Sequence, residues 1–186
     1  TVGDLLIAWL KAMQPNLKPA TGAHYELLAD TYLRPRYDKV KLAKLAPHQV
    51  QVMCSDLQAD GHYRTAQLAY HMLKQACDLA VRWRWLAANP CNGIVRPQYR
   101  AKRKTVWSRQ ELETFLDGAR DHWLFPLWLL AIATGCRPGE LLGLAWSDVD
   151  LVAGTIKVTQ ALQRAKGEYL LGAQDREQPA GHRIAG

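Results

Sequence analysis

The segment from Thr134 to Asp150 reads TGCRPGELLGLAWSDVD and is the most informative stretch of the chain. Arg137 stands between a glycine-containing loop and Pro138, a residue that suits the first turn of a helix. The unpaired backbone N–H groups of such a turn, together with the guanidinium, can bind a phosphate from two sides. A loop arginine paired with Glu140, one helical turn later, is the alternative. The residues alone leave both interpretations open.

The sequence around this segment predicts helices before it and strands after it. Residues 123–133 are apolar on all sides, which predicts a central helix, and Ser108 with Glu111 predicts a capping box that begins an earlier one. A short helix is expected over 138–144. From residue 149 onward the apolar period changes to two, with a turn at Ala153-Gly154, which predicts a small antiparallel sheet.

Apolar residues at helical spacing predict four helices in the first half of the chain. These helices are expected over residues 2–13, from 19 to a stop at Arg34-Pro35, over 47–60 before Gly61, and over 65–86. We therefore predict a helical domain over 1–89, a linker without periodicity over 90–106, and a second domain over 107–186.

The positive charge is concentrated in one part of the chain. Residues 1–78 carry nine Lys or Arg and seven Asp or Glu, residues 79–110 carry eight and none, and residues 111–186 carry seven and ten. The net charge of +7 therefore comes from a block of 32 residues. A basic block without acidic residues favours a polyanionic partner such as a nucleic acid, although a solvated face is the simpler explanation.

Several classes of protein are disfavoured. No apolar run reaches the roughly 18 residues of a membrane span, and no secretion signal is recognisable, so a cytoplasmic protein without membrane contact is expected. The four cysteines lack metal-ligand spacing and are expected to be reduced packing residues. No metal or other cofactor is expected.

The segment around Arg137 resembles the first arginine motif of the tyrosine recombinases, the phage-integrase family of DNA breaking and rejoining enzymes. Other stretches resemble that family in the same order: Leu17 to Thr21 with Tyr25, Leu73 to Ala76, Ala80 to Trp83, Asn89-Pro90, and Trp107-Ser108 with Glu111. The resemblance covers residues 1 to about 172.

The resemblance implies a mainly α fold with a small antiparallel β-sheet. It consists of a four-helix core-binding (SAM-like) domain followed by the first part of an α+β catalytic domain. The two would close around double-stranded DNA at an attachment or recombination site. Arg137 would be the first catalytic arginine, which binds the scissile phosphate, and Glu140 would orient it or merely cap its helix.

Polar side chains at helix starts or outside the apolar stripes are candidates for DNA contacts. In the helical domain they are Lys18, Thr21, Tyr25, Arg64, Thr65 and Lys74. In the linker they are Arg100, Lys102, Arg103 and Lys104.

The family mechanism requires a tyrosine nucleophile, a His-x-x-Arg motif and a lysine in a Pro-Lys-Thr run, and none is recognisable here. Tyr169 is expected to be a packing residue, His182-Arg183 lacks the required spacing, and Lys166 comes too early for the family's lysine. We expect a chain that binds DNA but does not cleave it, so its status as an enzyme is left open.

The tail from about residue 173 is atypical for the family. Permitted codons for residues 173–182, read in another frame, can encode Glu-Pro-Lys-Thr-Glu-Ser-Ser-Arg-Arg-Ala-Thr, which an integrase carries there. This predicts a frameshift near Gly172, and a deliberately shortened protein is the alternative. Gene sequencing decides: the idea fails if the other frame encodes no His-x-x-Arg and no terminal tyrosine downstream.

Three functions are compatible with these features. The first is a DNA-binding fragment of an integrase from a mobile element, encoded by a bacterium or phage. The second is a stand-alone DNA-binding protein that modulates an intact recombinase. The third is a helical transcription regulator in which Arg137 is structural. Apolar surface left open in the second domain predicts association with itself or with other recombinase protomers.

Overall fold

A computed structural model of the protein describes residues 1–101 and 104–173, and the backbone of residues 181–183. The chain divides into two compact units, Thr1–Lys102 and Arg103–Gly186. We call them the helical unit and the mixed unit. Lys102, Arg103 and most of the atypical tail, residues 174–180 and 184–186, lie outside the described residues.

The helical unit is built from helices joined by short connections. They are α1 (Val2–Met13), α2 (Pro19–Leu28), a π-helical turn (Ala29–Leu33), α3 (Arg34–Tyr37), α4 (Pro47–Ala59) and α5 (Tyr63–Arg82). The capping box of Thr1 with Asp4 begins α1, and Gly61 with a φ of +79° follows α4 as a left-handed stop.

Two helix ends differ from the prediction. The predicted stop at Arg34-Pro35 is wrong, because the wider turn over Ala29–Leu33 carries the chain into α3 with Pro35 in its first turn, where no amide donor is needed. Helix α5 ends at Arg82 rather than near residue 86, because Arg84 adopts a left-handed conformation.

The core of the helical unit is tightly closed. Helix α5 contributes a continuous buried stripe of eight residues, including Leu73 and Cys77, and α1 contributes Trp9. The short 3₁₀ helix at Pro90–Gly93 also packs there, so that Cys91 is fully buried. Burial raises the pKa of the Cys54 thiol to about 11, which keeps it protonated and inert.

The mixed unit begins with three helices, α6 (Arg109–Ala119), α7 (Phe125–Thr134) and α8 (Pro138–Leu142). Helix α6 starts at the predicted capping box, where the Glu111 carboxylate accepts hydrogen bonds from the backbone and side chain of Ser108. Helix α7 is not central in the described part of the chain, since Leu129 and Ile132 are 46% and 38% exposed. Helix α8 ends two residues before the predicted limit.

Two small antiparallel sheets follow in place of the single sheet predicted. One has the order β1-β2-β5, from β1 (Val149–Asp150), β2 (Thr155–Lys157) and β5 (Gly181–Arg183). The other is a hairpin of β3 (Gln160–Ala165) and β4 (Glu168–Ala173). The predicted fold class, mainly α with a small antiparallel β component, is confirmed. Within the described residues, no helix combines the length and apolar character of a membrane span.

Candidate phosphate-binding site and nucleic-acid interface

The loop before Arg137 is fixed by local hydrogen bonds. Gly135 ends α7 in the left-handed region, with φ of 65°, and its N–H donates to the Ala131 carbonyl at 2.8 Å. The Thr134 hydroxyl donates to the Leu130 carbonyl at 2.6 Å and accepts from the Cys136 N–H at 3.3 Å. The backbone therefore delivers Arg137 to the start of α8 in a defined conformation.

Glu140 holds Arg137 at two points. One carboxylate oxygen accepts the Arg137 backbone N–H at 2.8 Å, and the other accepts Nη1 of its guanidinium at 2.9 Å. The two roles that the sequence left open for Glu140, helix capping and orientation of the guanidinium, are carried out by the same carboxylate.

The two partners of this ion pair differ strongly in exposure. The Glu140 side chain is 7% exposed, whereas the Arg137 side chain is 63% exposed. A buried carboxylate that pairs with an exposed guanidinium restricts the arginine without covering it. The arginine offers five N–H donors and uses one guanidinium nitrogen on Glu140, so donors remain for an external anion.

Helix α8 is seated against the first strand of the hairpin. A Cβ added to Gly139 would lie 2.6 Å from the Leu162 carbonyl oxygen, and one added to Gly143 would lie 3.0 Å from the Ala161 Cα. The Gln160 side-chain amide also donates to the Gly143 carbonyl at 2.9 Å. The glycines of the segment thus allow a close backbone approach that fixes α8 and, through it, Arg137.

The hairpin turn carries Lys166 and Gly167, both with positive φ, as a tight two-residue turn requires. Tyr169 on β4 is 68% exposed, and the Arg164 guanidinium lies 5.9 Å from the centre of its ring. The expectation that Tyr169 is a packing residue is wrong, because the β3–β4 register pairs it with Arg164 and its side chain is exposed. His182 and Arg183 lie in β5, not in a helix.

Three of the candidate DNA contacts lie in or before the first turns of α2. Lys18 precedes the helix and is exposed, as is Thr21, whose N–H donates to the Lys18 carbonyl at 2.9 Å. Tyr25 is half-buried and packs edge-on against Trp9, with 5.3 Å between ring centres. Lys18 and Thr21 therefore offer polar groups at the surface, while the Tyr25 ring belongs to the core.

Arg64 and Thr65 lie in the first turn of α5. The Arg64 guanidinium donates to the Gln67 side chain at 2.6 Å and lies 5.6 Å from the centre of the Tyr99 ring. Thr65 is half-buried. Arg64 therefore contacts the residue that precedes Arg100, and the first part of the predicted linker lies along the helical unit.

Lys74 is tied into a polar network at the middle of α5. Its ammonium donates to the Asp78 carboxylate at 2.8 Å, which raises the pKa of Lys74. The Asn89 amide donates to the Lys74 carbonyl and to Asp78, at 2.9 and 2.6 Å, and accepts the Cys91 N–H at 2.8 Å. Burial alone would raise the pKa of Asp78, but the bonds from Lys74 and Asn89 lower it.

Two of the four linker candidates belong to the described residues. Arg100 and Lys104 are exposed, whereas Lys102 and Arg103 lie outside the described residues. The segment before Arg100 is anchored, because the Val95 N–H donates to the Gln51 side chain at 2.8 Å and Pro97 is buried. In the described part of the chain, no group of His, Cys, Asp or Glu side chains is arranged to hold a metal ion.

Comparison with known proteins identifies the family of this chain. The family model described as phage integrase, N-terminal SAM-like domain, matches residues 1–58. A tyrosine recombinase XerC-like protein of Caldanaerobacter subterraneus subsp. tengcongensis is 30% identical over 173 residues, covering 88% of this chain and 44% of the relative. The chain belongs to the phage-integrase family of tyrosine recombinases.

A second relative of this integrase-family chain matches over a similar extent. The ICEBs1 integrase of Bacillus subtilis is 22% identical over 170 residues, which cover 90% of the chain and 46% of the relative. The chain thus spans about half the length of these two curated relatives.

Solved integrase structures share the fold. The Tn1549 transposon integrase, solved with circular intermediate DNA, matches with a TM-score of 0.78 and 20% identity, covering 94% of this chain and 59% of that one. A lambda integrase dimer bound to a COC' core site matches with a TM-score of 0.75 and 19% identity, covering 97% and 65%.

Some structural features of this integrase-family chain were not predicted from its sequence. The sequence singles out Asn89 only in the family-like pair Asn89-Pro90, although in the structure it joins Lys74, Asp78 and Cys91. A buried Asn before proline at the end of a long helix is a signal that could have indicated this role. The contact of Arg64 with Tyr99 spans 35 positions and has no local signal.

Proposed function

We propose that this chain binds double-stranded DNA as the core-binding domain and part of the catalytic domain of a phage-type integrase, in DNA integration and recombination. Arg137 binds the oxygens of the phosphodiester at the recombination site, and Glu140 orients it. The observation that carries this proposal is the exposed guanidinium of Arg137 held by a buried carboxylate. Arg109 and Arg120 also form ion pairs at the surface, but their partner carboxylates are 58% and 73% exposed, whereas that of Arg137 is 7% exposed.

The charge distribution supports DNA binding by the helical unit. Residues 1–102 carry 14 Lys or Arg and seven Asp or Glu, whereas residues 103–186 carry ten of each. The whole net charge of +7 therefore belongs to the helical unit and the linker. The helical unit then supplies most of the attraction to the phosphate backbone. Arg137 in the mixed unit recognises a single phosphate.

The candidate contacts divide into two groups in this proposal. Lys18, Thr21, Arg100 and Lys104 are exposed and contact the DNA backbone, together with Lys102 and Arg103 of the linker. The other four are engaged within the helical unit or half-buried: Arg64 packs on Tyr99, Lys74 pairs with Asp78, Tyr25 packs on Trp9, and Thr65 is half-buried.

Binding of the phosphate, rather than strand cleavage, is the activity proposed for these residues. Cleavage by this family's chemistry needs a tyrosine nucleophile whose phenol is activated by neighbouring cations and a base. Tyr169 is on the hairpin beside Arg164, and no hydrogen-bonded base faces it among the described residues. Addition of this chain to nicked or intact duplex DNA should therefore give no covalent protein–DNA product on a denaturing gel.

Association with a second recombinase protomer is part of the proposal. A cavity of about 410 Å³ in the mixed unit is lined mainly by apolar residues, among them Leu130, Leu141 and Ile156. Trp146 at its rim is 84% exposed. A strictly monomeric sedimentation profile at high protein concentration would contradict this part.

The salt dependence of duplex binding tests the proposal. The affinity of the chain for attachment-site duplex DNA should fall steeply with salt, because each neutralised phosphate adds about 0.9 to the slope of log K against log salt. Arg137→Ala should weaken binding and lower that slope by about 1.

Arg120→Ala is the matched control. Arg120 belongs to the same unit, is 72% exposed and pairs with Asp117 at 3.0 Å, but it is outside the proposed site. It should leave the affinity and the slope nearly unchanged. If Arg137→Ala behaves like Arg120→Ala, Arg137 is structural, and if the wild-type chain shows almost no salt dependence, the chain does not bind DNA through its phosphates.

A further inference from the structure

The end of α5 contains an arginine in a conformation that favours glycine. Arg84 has a φ of 62°, in the left-handed region. Its N–H donates to the Val81 carbonyl at 3.0 Å, and the next N–H, of Trp85, donates to the Ala80 carbonyl at 2.8 Å. This is the Schellman pattern, whose left-handed position glycine fills without steric cost.

A residue other than glycine is strained in this conformation, so we expect the Arg84 side chain to make an interaction that offsets the strain. Arg82, in the last turn of α5, already supplies a cation near the negative end of the helix dipole. Arg84 is exposed and forms no ion pair with any carboxylate in the described part of the chain. The stability of the helical unit therefore does not explain why an arginine stands here.

Two tryptophans flank Arg84 and are exposed as well. Trp83 is 38% exposed and Trp85 is 51% exposed, and their rings contact each other with centres 4.9 Å apart and planes tilted by 58°. Neither belongs to the buried core of the helical unit, whereas Leu86, directly after them, packs against it. Their exposed fractions leave indole surface available for contact with a ligand.

The stretch of sequence that contains these four residues, the Arg82–Trp85 patch, is cationic. The chain holds no Asp or Glu from residue 79 to residue 110. The Asp78 carboxylate interacts electrostatically with Arg82, but it already accepts hydrogen bonds from Lys74 and Asn89. An occupant of the patch must therefore be anionic and must offer flat apolar surfaces to the indoles.

We propose that the Arg82–Trp85 patch binds unpaired nucleotides of a single-stranded nucleic acid. The tryptophans stack on bases and the arginines neutralise the adjacent phosphates, a combination that serves single strands in general. A duplex hides the base faces that the indoles would contact. Residues 79–110 hold eight Lys or Arg and no Asp or Glu, and this density of positive charge favours a nucleic acid, in which every nucleotide carries a phosphate, over an acidic protein segment, for which tryptophan and arginine are also suitable.

This inference does not rest on the proposed function, because it concerns a different unit and a different form of nucleic acid. The test is binding of a fluorescently labelled 20-residue oligo(dT) to the full chain, measured by anisotropy, with a labelled duplex of the same length in parallel. Trp85→Ala and Trp83→Ala should each weaken oligo(dT) binding by about tenfold and duplex binding by less than about twofold. Trp85→Phe, which keeps an aromatic face, should recover most of the affinity.

Arg84→Gly provides a second test, in which the melting temperature and the affinity for oligo(dT) should change in opposite directions. Removal of the strained side chain should raise the melting temperature by about 3 °C, while the affinity for oligo(dT) falls severalfold. Arg120→Ala again serves as the control for the loss of one exposed cation.

The outcomes are distinguishable. Equal losses for oligo(dT) and duplex in the tryptophan variants, or no loss in either, would overturn the proposal, as would tighter binding of an acidic peptide than of oligo(dT). Loss of duplex binding by Arg137→Ala bears on the proposed function alone. A melting curve for each variant shows that it is folded, so a loss of affinity cannot come from unfolding.

Discussion

The two units of this chain bury their apolar residues to very different degrees. Among the residues that the structure describes, the twelve largest fully buried side chains all belong to the helical unit, and they include Trp9, Tyr70 and Leu73. In the mixed unit, Ile156 is 2% exposed, but Trp123, Trp146 and Val152 are 81%, 84% and fully exposed. The helical unit is closed around its core, whereas the mixed unit leaves apolar surface open.

This difference shows how each unit holds its functional side chains in position. In the helical unit, a dense core fixes the helices, and polar side chains are positioned as a consequence. In the mixed unit, Arg137 is fixed locally, by the left-handed Gly135, by the Glu140 carboxylate and by the glycine contacts of α8 with β3. A site can therefore be well defined even where the surrounding core is small.

The largest expected effect compares a core truncation in each unit. Leu73→Ala should lower the free energy of unfolding of the helical unit by about 4 kcal/mol, because a fully buried leucine leaves a cavity in a rigid core. Ile156→Ala should cost only about 2 kcal/mol, since the more open mixed unit can relax around it. Urea unfolding followed by circular dichroism measures both. Equal losses would remove the distinction between the units.

The next effect concerns the polar network of the helical unit. Asn89→Ala leaves the Cys91 N–H, the Asp78 carboxylate and the Lys74 carbonyl without this partner, and should cost about 2 kcal/mol. Lys74→Ala removes a more exposed pair and should cost at most about 1 kcal/mol. If the two variants unfold at the same urea concentration, Asn89 is not the centre of the network.

A pair of glycine substitutions tests the seating of α8. Gly139→Ala places a Cβ 2.6 Å from a backbone oxygen of Leu162, so the mixed unit should lose about 2 kcal/mol. Gly118→Ala in α6 meets nothing within 4 Å and should gain about 0.5 kcal/mol, because alanine favours the helix. Thermal unfolding of both variants measures the difference. A neutral Gly139→Ala would show that α8 is not held against β3.

The smallest effect is a dependence on acid pH. The pKa of Asp78 is lowered in the folded chain, so its contribution is complete above the ordinary value of 3.8 and is lost as the pH falls through the folded value. Asp78→Asn should therefore remove part of the decline in stability between about pH 5 and pH 2. Melting temperatures over that range should show a flatter profile for the variant. An unchanged profile would mean that other carboxylates account for the decline.

The sequence predicted the local features well and the long-range ones poorly. The capping box at Ser108, the Gly61 stop and the start of α8 at Pro138 all depend on residues within one helical turn, and all are present. The predicted helix stop at Arg34-Pro35 is wrong, because the π-helical turn before it has no recognisable local signal in the sequence. The sequence leaves two interpretations of Arg137 open. The structure was needed to show that Arg137 pairs with Glu140 and that its guanidinium is nevertheless exposed.

The most direct test of the central claim follows the Arg137 guanidinium itself. Side-chain Nε–H signals of ¹⁵N-arginine-labelled protein can be recorded before and after addition of attachment-site duplex DNA, and Arg137→Lys identifies the Arg137 signal by its loss. The proposed function predicts that this signal shifts on binding and that Glu140→Gln, which neutralises the carboxylate holding the guanidinium, reduces the shift. An Arg137 signal that stays unchanged while the signals of Arg100 and other linker arginines move would contradict it.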